Sequence, residues 1–203
     1  NQSRHSTAEV LGVLAAMGWL SEQPGDFQER IARAGRWITL PKGARLFHAG
    51  EPATAMFGLG EGLLDIAIPI SEDEEVTVHR APPGFWIGDG ALLSSVPRQL
   101  SIEAATDCLV FRLPIEAVQR MLEAFPRDWM YFHRLSSLNA TLAVRTLAEM
   151  IALPPRARFA RLLLRIRLPD NTVRVTQEEL GRMAGMSRAA FRRTFGSCCA
   201  PTA

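Results

Sequence analysis

The chain has 203 residues, 47% of them hydrophobic and 22% charged, with a formal net charge of +2. That length can bury a real core, and the composition is that of a folded globular protein rather than a disordered or fibrous one. No run approaches the ~18 apolar residues of a membrane helix, and the N-terminal Asn-Gln-Ser-Arg-His-Ser-Thr lacks a signal peptide's apolar core. Three cysteines make no disulfide framework, so the expectation is a reducing cytoplasm and no membrane partner.

The charge is unevenly spread. Residues 154–203 hold ten arginines against three carboxylates, a balance of +7, while residues 1–153 hold thirteen basic and eighteen acidic groups, a balance of −5. Lys42 is the only lysine, so arginine is preferred throughout, yet that preference does not explain the imbalance. A basic end on an acidic body points to a polyanion such as nucleic acid.

In chain order, Ala8–Leu20 reads as a short helix ended by Gln23-Pro24-Gly25-Asp26, with a second short helix over 26–35. From Trp37 to Leu113 short apolar stretches alternate with turns, the spacing of an all-β barrel or sandwich. The stretches are 37–40, 45–48, 55–59, 63–68, 76–80, 102–105 and 109–113. Glu72-Asp73-Glu74-Glu75 reads as a solvated hairpin tip. Pro114–Phe125 is predicted helical with Pro114 in its first turn.

Pro126 opens a long helix to about Leu153 with two apolar stripes. One is Leu135, Leu138 and Leu142; the other is Ser137, Ala140, Val144, Leu147 and Ile151. Two stripes suit a helix packed on its own domain and on a second subunit, or else a core helix of a monomer. Pro154-Pro155 ends it and marks a domain boundary. A helix over 156–168 and a short strand over Thr172–Val175 follow.

Residues 176–195 carry the most specific signal. Thr176 and Glu179 form a capping box, Leu180, Met183 and Ala184 face inward, and Gly185 ends the first helix. Ser187 caps a second helix whose inward face is Ala190, Phe191 and Thr194. Two short helices joined by a glycine turn make a helix-turn-helix, and Arg188, Ala189, Arg192 and Arg193 face outward, where arginines read guanines or bind phosphates.

On these residues the chain resembles the Crp/Fnr family of transcription regulators. The stretch Gln177–Arg193 is similar to that family's helix-turn-helix, Phe47–Pro52 and Met56–Gly62 to its early barrel strands, and Pro83–Leu93 with Pro97-Arg98-Gln99 to its phosphate-binding cassette. The resemblance implies an α+β fold. A β-roll or jelly-roll sensor domain would span 1–125, a dimerisation helix 126–153, and a (winged) helix-turn-helix domain 154–203. It implies DNA contacts from Thr176, Gln177, Ser187, Arg188, Arg192 and Arg193. Ala189 departs from the acidic residue many members carry.

The cassette implies an effector site at Gly88, Asp89, Gly90, Ala91, Arg98 and Gln99, with cyclic AMP or cyclic GMP as the implied ligand. Gly88 would offer backbone N–H groups, Arg98 a cation for the phosphate and Asp89 an acceptor for a ribose hydroxyl. Members that bind cyclic AMP usually carry glutamate at Asp89, leucine at Gly90 and serine or threonine at Gln99. Arg98 equally fits a structural arginine paired with Asp89. Cys108, Cys198 and Cys199 are too few and badly placed for an iron–sulfur cluster, and His48 and His79 are isolated as haem ligands.

After Phe195 the tail reads as too polar and short for the rest of the recognition helix or a wing. Two functions stand: a dimeric DNA-binding regulator with RNA polymerase as a further partner, or a sensor module of the same fold with weak or lost DNA binding. No nucleophile–base pair, metal-ligand spacing or Walker-type loop points to an enzyme.

Overall fold

The computed structural model describes residues 11–71, 74–90, 96–166, 172–173, 175–186 and 188–199, which divide into two compact units, 1–138 and 139–203. The division falls within a helix, upstream of the Pro154-Pro155 break.

The first unit begins with α1 (Val13–Ala16), a 3₁₀ turn (Trp19–Glu22) and α2 (Gly25–Ala34). The single helix predicted over 8–20 is corrected here. Its start lies outside the described residues, and the remainder is broken at Gly12 and Gly18, with φ of +53° and +79°. A Cβ at Gly18 would lie 2.0 Å from the Gly84 carbonyl oxygen, so the break lets two turns touch.

Among the described residues eight strands follow: β1 (Arg36–Leu40), β2 (Arg45–Phe47), β3 (Ala55–Glu61), β4 (Leu64–Pro69), β5 (Glu75–Ala81), β6 (Trp86–Ile87), β7 (Ser101–Ala104) and β8 (Cys108–Pro114). They form two antiparallel sheets, ordered β1-β8-β3-β6 and β2-β7-β4-β5. The hairpin tip read at 72–75 is only partly described, since residues 72 and 73 lie outside the described set and Glu75 opens β5.

Central β3 and β8 read as nearly continuous apolar runs because both their faces are covered. Phe57, Leu59, Cys108 and Val110 point between the sheets, while Met56, Phe111 and Leu113 point toward the helices. Gly58 and Gly60 lie on the helix-facing side, where a Cβ would approach the Trp86 and Trp37 rings to 2.7 and 2.5 Å. Each fully buried Leu or Phe stabilises the unit by about 1.5–3 kcal/mol relative to exposure.

After β8 come α3 (Ile115–Ala124), a 3₁₀ turn (Pro126–Asp128) and the long helix α4 (Trp129–Ala152). Pro114 is the N-cap of α3 rather than a first-turn residue. Aromatic contacts and an ion pair pin the start of α4. Trp19 lies 5.5 Å from Trp86 and 5.7 Å from Phe132, and its Nε1 donates to the Tyr131 carbonyl at 2.9 Å. Arg30 grips buried Asp128 with two bonds, at 2.8 and 2.9 Å, and stacks 4.4 Å from the Phe125 ring.

The second unit holds the end of α4, α5 (Pro155–Ile166), α6 (Gln177–Met183) and α7 (Arg188–Cys199). Phe159, Leu162, Ile166, Leu180, Ala184 and Phe191 form its core, with the Phe159 and Phe191 rings edge-on at 5.5 Å. Two expectations are corrected. No strand forms at the described residues 172, 173 and 175, where Val173 and Val175 pack on that core instead. The second helix of the predicted pair also does not stop near Phe195; α7 runs to Cys199 because no proline interrupts it and extending a formed helix fixes only one residue per bond gained.

Candidate functional site

The cassette begins where β6 ends. β6 pairs with β3 through only two positions, Phe57↔Ile87 and Gly58↔Trp86, and Gly88 then turns the chain with φ +97°. A Cβ at Gly88 would sit 2.8 Å from Arg98 Nη1, so glycine here makes room for the arginine as well as the turn.

Arg98 is 6% exposed. Its Nη2 donates to the Ala55 carbonyl, and its guanidinium lies 4.0 Å from the Phe47 ring centroid and 5.7 Å from that of Phe57. Its buried Nε has no partner among the described residues. Burial pushes the guanidinium below its ordinary pKa, and the charge of Glu51 opposes that shift. A buried cation met by one carbonyl and ring faces is under-compensated, and an anion is the chemistry that would complete it.

Asp89, 8% exposed, accepts a hydrogen bond on Oδ2 from the Ser136 hydroxyl of α4 at 2.5 Å. The described contacts of Arg98 and Asp89 thus run to different groups. Gly90 is exposed, and no described atom lies within 4 Å of where a Cβ would stand. Gln99 is exposed and donates to the Pro97 carbonyl at 2.9 Å, away from the buried pair. Ala91 lies outside the described residues. The motif located Gly88, Asp89 and Arg98, whereas Phe47, Ala55 and Ser136 are 43 to 51 positions from the residues they contact and carry no local signal.

A polar cluster occupies one end of the second sheet. Arg45 Nη1 donates to Glu75 at 2.6 Å and Arg45 Nε lies 3.0 Å from Glu103, while the Ser101 hydroxyl also donates to Glu75. The Ser101 and Arg45 bonds hold the Glu75 carboxyl below its usual pKa range. Cys108 is buried and its thiol is pushed up by burial, the setting of a packed cysteine rather than a reactive one. His79 is half-buried with its ring 5.4 Å from Phe85.

In the second unit the capping box forms. Glu179 N donates to Thr176 Oγ1 at 3.3 Å, and Thr176 N donates to Glu179 Oε2 at 2.7 Å. Gly185, at φ +62°, closes α6 in a Schellman turn: Gly185 N donates to the Arg182 carbonyl at 3.0 Å and Met186 N to that of Gly181 at 2.9 Å. Phe191 is buried on one side of α7, and Ala189, Arg192 and Arg193 are exposed. Thr176 and Gln177 are at the start of α6. Ser187 and the side chains of Arg188 and Thr194 lie outside the described residues.

A two-sheet roll with a glycine–arginine cassette defines the class: a cyclic-nucleotide-binding-like domain followed by a helical unit. The family model described as "Cyclic nucleotide-binding domain" matches residues 37–125. The chain is 21% identical over 162 residues to the cAMP-activated global transcriptional regulator CRP of Haemophilus influenzae, covering 75% of this chain and 72% of that protein. It is 28% identical over 154 residues to the HTH-type transcriptional regulator Cmr of Mycobacterium tuberculosis, covering 74% and 61%. In fold it is similar to CLP, the c-di-GMP responsive global regulator of Xanthomonas campestris, with TM-score 0.70, 20% identity and coverage of 86% and 91%. Residues 37–125 thus match the cyclic nucleotide-binding domain family, and over about three quarters of its length the chain is similar to transcriptional regulators of the CRP and Cmr kind.

Proposed function

We propose that this chain is a DNA-binding transcription regulator that works as a homodimer and is controlled by a cyclic nucleotide in the β-roll. The observation that carries the DNA reading is the α6–α7 pair. A capped helix and a Schellman turn lead into a helix that buries Phe191 and exposes Arg192 and Arg193. Exposed arginines on a second helix suit major-groove edges and phosphates. The domain division proposed is a sensor to residue 125, a dimerisation helix over 126–153 and a DNA-binding domain over 154–203. Thr176, Gln177, Ser187 and Arg188 complete the proposed DNA contacts.

The effector half of the reading is supported by buried Arg98, whose charge calls for an anion. Gly88 and Asp89 would supply backbone and carboxylate contacts, with Gly90, Ala91 and Gln99 on the same segment. CRP of H. influenzae is cAMP-activated, and cyclic AMP and cyclic GMP are the ligands to try first. Among the described residues no helix is long and apolar enough to cross a membrane.

Fluorescence anisotropy against a pool of promoter DNA at two salt concentrations tests the DNA reading. Affinity is expected to fall as salt rises, with a slope of about −0.9 per phosphate neutralised. It should fall further in Arg192→Ala/Arg193→Ala. A folded protein that binds no DNA at low salt would overturn the reading and leave a sensor module of the same fold.

A further inference from the structure

The last turns of α4 lie in the second unit, where only Leu153 and Pro154 separate them from α5. Side chains span this elbow. Arg158, Arg161 and Arg165 stand three and four positions apart and share one face of α5. Arg165 Nη1 donates to Glu149 Oε2 at 3.1 Å and to Thr146 Oγ1 at 3.0 Å. Arg161 Nε lies 3.8 Å from Glu149 Oε1. Arg158 Nη1 donates at 3.0 Å to the Met150 carbonyl, one of the terminal acceptors a helix leaves unsatisfied. The adjoining face of α5 carries Phe159, Leu162 and Ile166 into a core with Leu180, Ala184 and Phe191. Gly185, in the turn between α6 and α7, also meets α4, since a Cβ there would stand 2.5 Å from Met150 Cε.

We infer that Glu149 is a positioning residue for DNA reading: through Arg161 and Arg165 it fixes the angle between the end of α4 and the α6–α7 pair. The inference rests on the dimeric DNA-binding reading. In a dimer joined through α4, that angle sets the spacing of the two α7 helices, and half-sites on a duplex lie a fixed helical turn apart. A bare two-residue elbow would let each α7 swing, and binding would then lose free energy to ordering it. Charge alone makes the opposite demand of this position. Between residues 139 and 169 Glu149 is the only acidic residue, against six arginines. A carboxylate there repels phosphates, so without a positioning task it would only weaken DNA binding.

The full chain and its Glu149→Gln, Arg165→Gln and doubly substituted variants test this. Each is titrated by fluorescence anisotropy against one pool of promoter DNA at low salt, and its amide hydrogen exchange is followed without DNA. Glu149→Gln removes a negative charge, which by electrostatics alone would tighten binding. The expected result is the reverse. The Glu149 and Arg165 side chains are 21% and 20% exposed. A coupled pair partly screened by water then gives a loss of about fivefold in affinity. In the Arg165→Gln background the same change should cost much less, because its main partner is already gone. Exchange over the last turn of α4 should rise, while that around Leu180 and Phe191 stays as in wild type. Binding by Glu149→Gln as tight as wild type, or tighter, overturns the inference and leaves the DNA reading standing. So does weaker binding with a general rise in exchange through Leu180 and Phe191, which marks Glu149 as a support of the fold. A wild type that binds no DNA at low salt removes the DNA reading, and the positioning role falls with it.

Discussion

Arg98 is the residue around which the first unit's chemistry is arranged. Its place is bought by Gly88, whose missing side chain leaves room for Nη1 and whose φ of +97° an L-residue rarely adopts. Gly88→Ala is expected to lower stability by about 1–3 kcal/mol, the usual cost of a forced backbone conformation together with a displaced neighbour. A melting temperature equal to wild type would show that the turn tolerates a Cβ. Glu75 gives a pH-dependent counterpart. Its folded pKa is depressed by Ser101 and Arg45, so the unfolded chain binds the proton more readily. The stabilisation is therefore complete above the usual glutamate range and fades as pH falls through the lower folded value. In Glu75→Gln that part of the acid loss disappears, and urea midpoints measured between neutral and acid pH should fall less steeply than in wild type. At this scale the sequence displayed Gly88, Asp89 and Arg98 because they belong to one contiguous segment. The Phe47 ring, the Ala55 carbonyl and the Ser136 hydroxyl were hidden because only the folded roll brings them there.

At the scale of elements, legibility follows how local the cause is. The seven predicted strand stretches correspond to β1–β5, β7 and β8, because each is a short apolar or alternating run bounded by turn residues. The two-residue β6 has no period to detect and exists because β3 pairs with it. The N-terminal helix was overestimated because its composition is helical while Gly18 is needed for contact with the turn at Gly84. The capping box was legible for the opposite reason, since Thr176 and Glu179 are three residues apart and satisfy each other. Thr176→Ala removes an acceptor for the Glu179 N–H and should cost about 0.5–2 kcal/mol of local helix stability. Amide exchange at the first turn of α6 should rise accordingly, and α3 should be untouched. Equal protection at that turn in variant and wild type would mean that the core around Leu180 alone fixes the start of the helix.

At the scale of the whole molecule, the sequence foretold a second apolar stripe on α4 by spacing alone. The structure leaves Val144, Leu147 and Ile151 at 66%, 59% and 78% exposure. Helix spacing is readable from sequence, but the boundary of the first unit at Leu138 is not, because α4 crosses it without a break in helical pattern. A row of apolar residues three and four apart, with small Ser137 and Ala140 in line, suits close approach of a second helix, and the proposed partner is a second copy. Replacing Leu147 and Ile151 by glutamate places like charges at the centre of that seam. Sedimentation should then shift from dimer to monomer at micromolar concentration, with the folded signal of the β-roll intact. DNA affinity should fall with it, since two linked recognition helices bind two half-sites and one helix binds only one. If the double variant remains dimeric, the seam lies elsewhere and the exposed stripe of α4 has a different partner. If it becomes monomeric yet keeps full DNA affinity and its salt slope, one recognition helix suffices, and dimer symmetry plays no part in how this protein reads DNA.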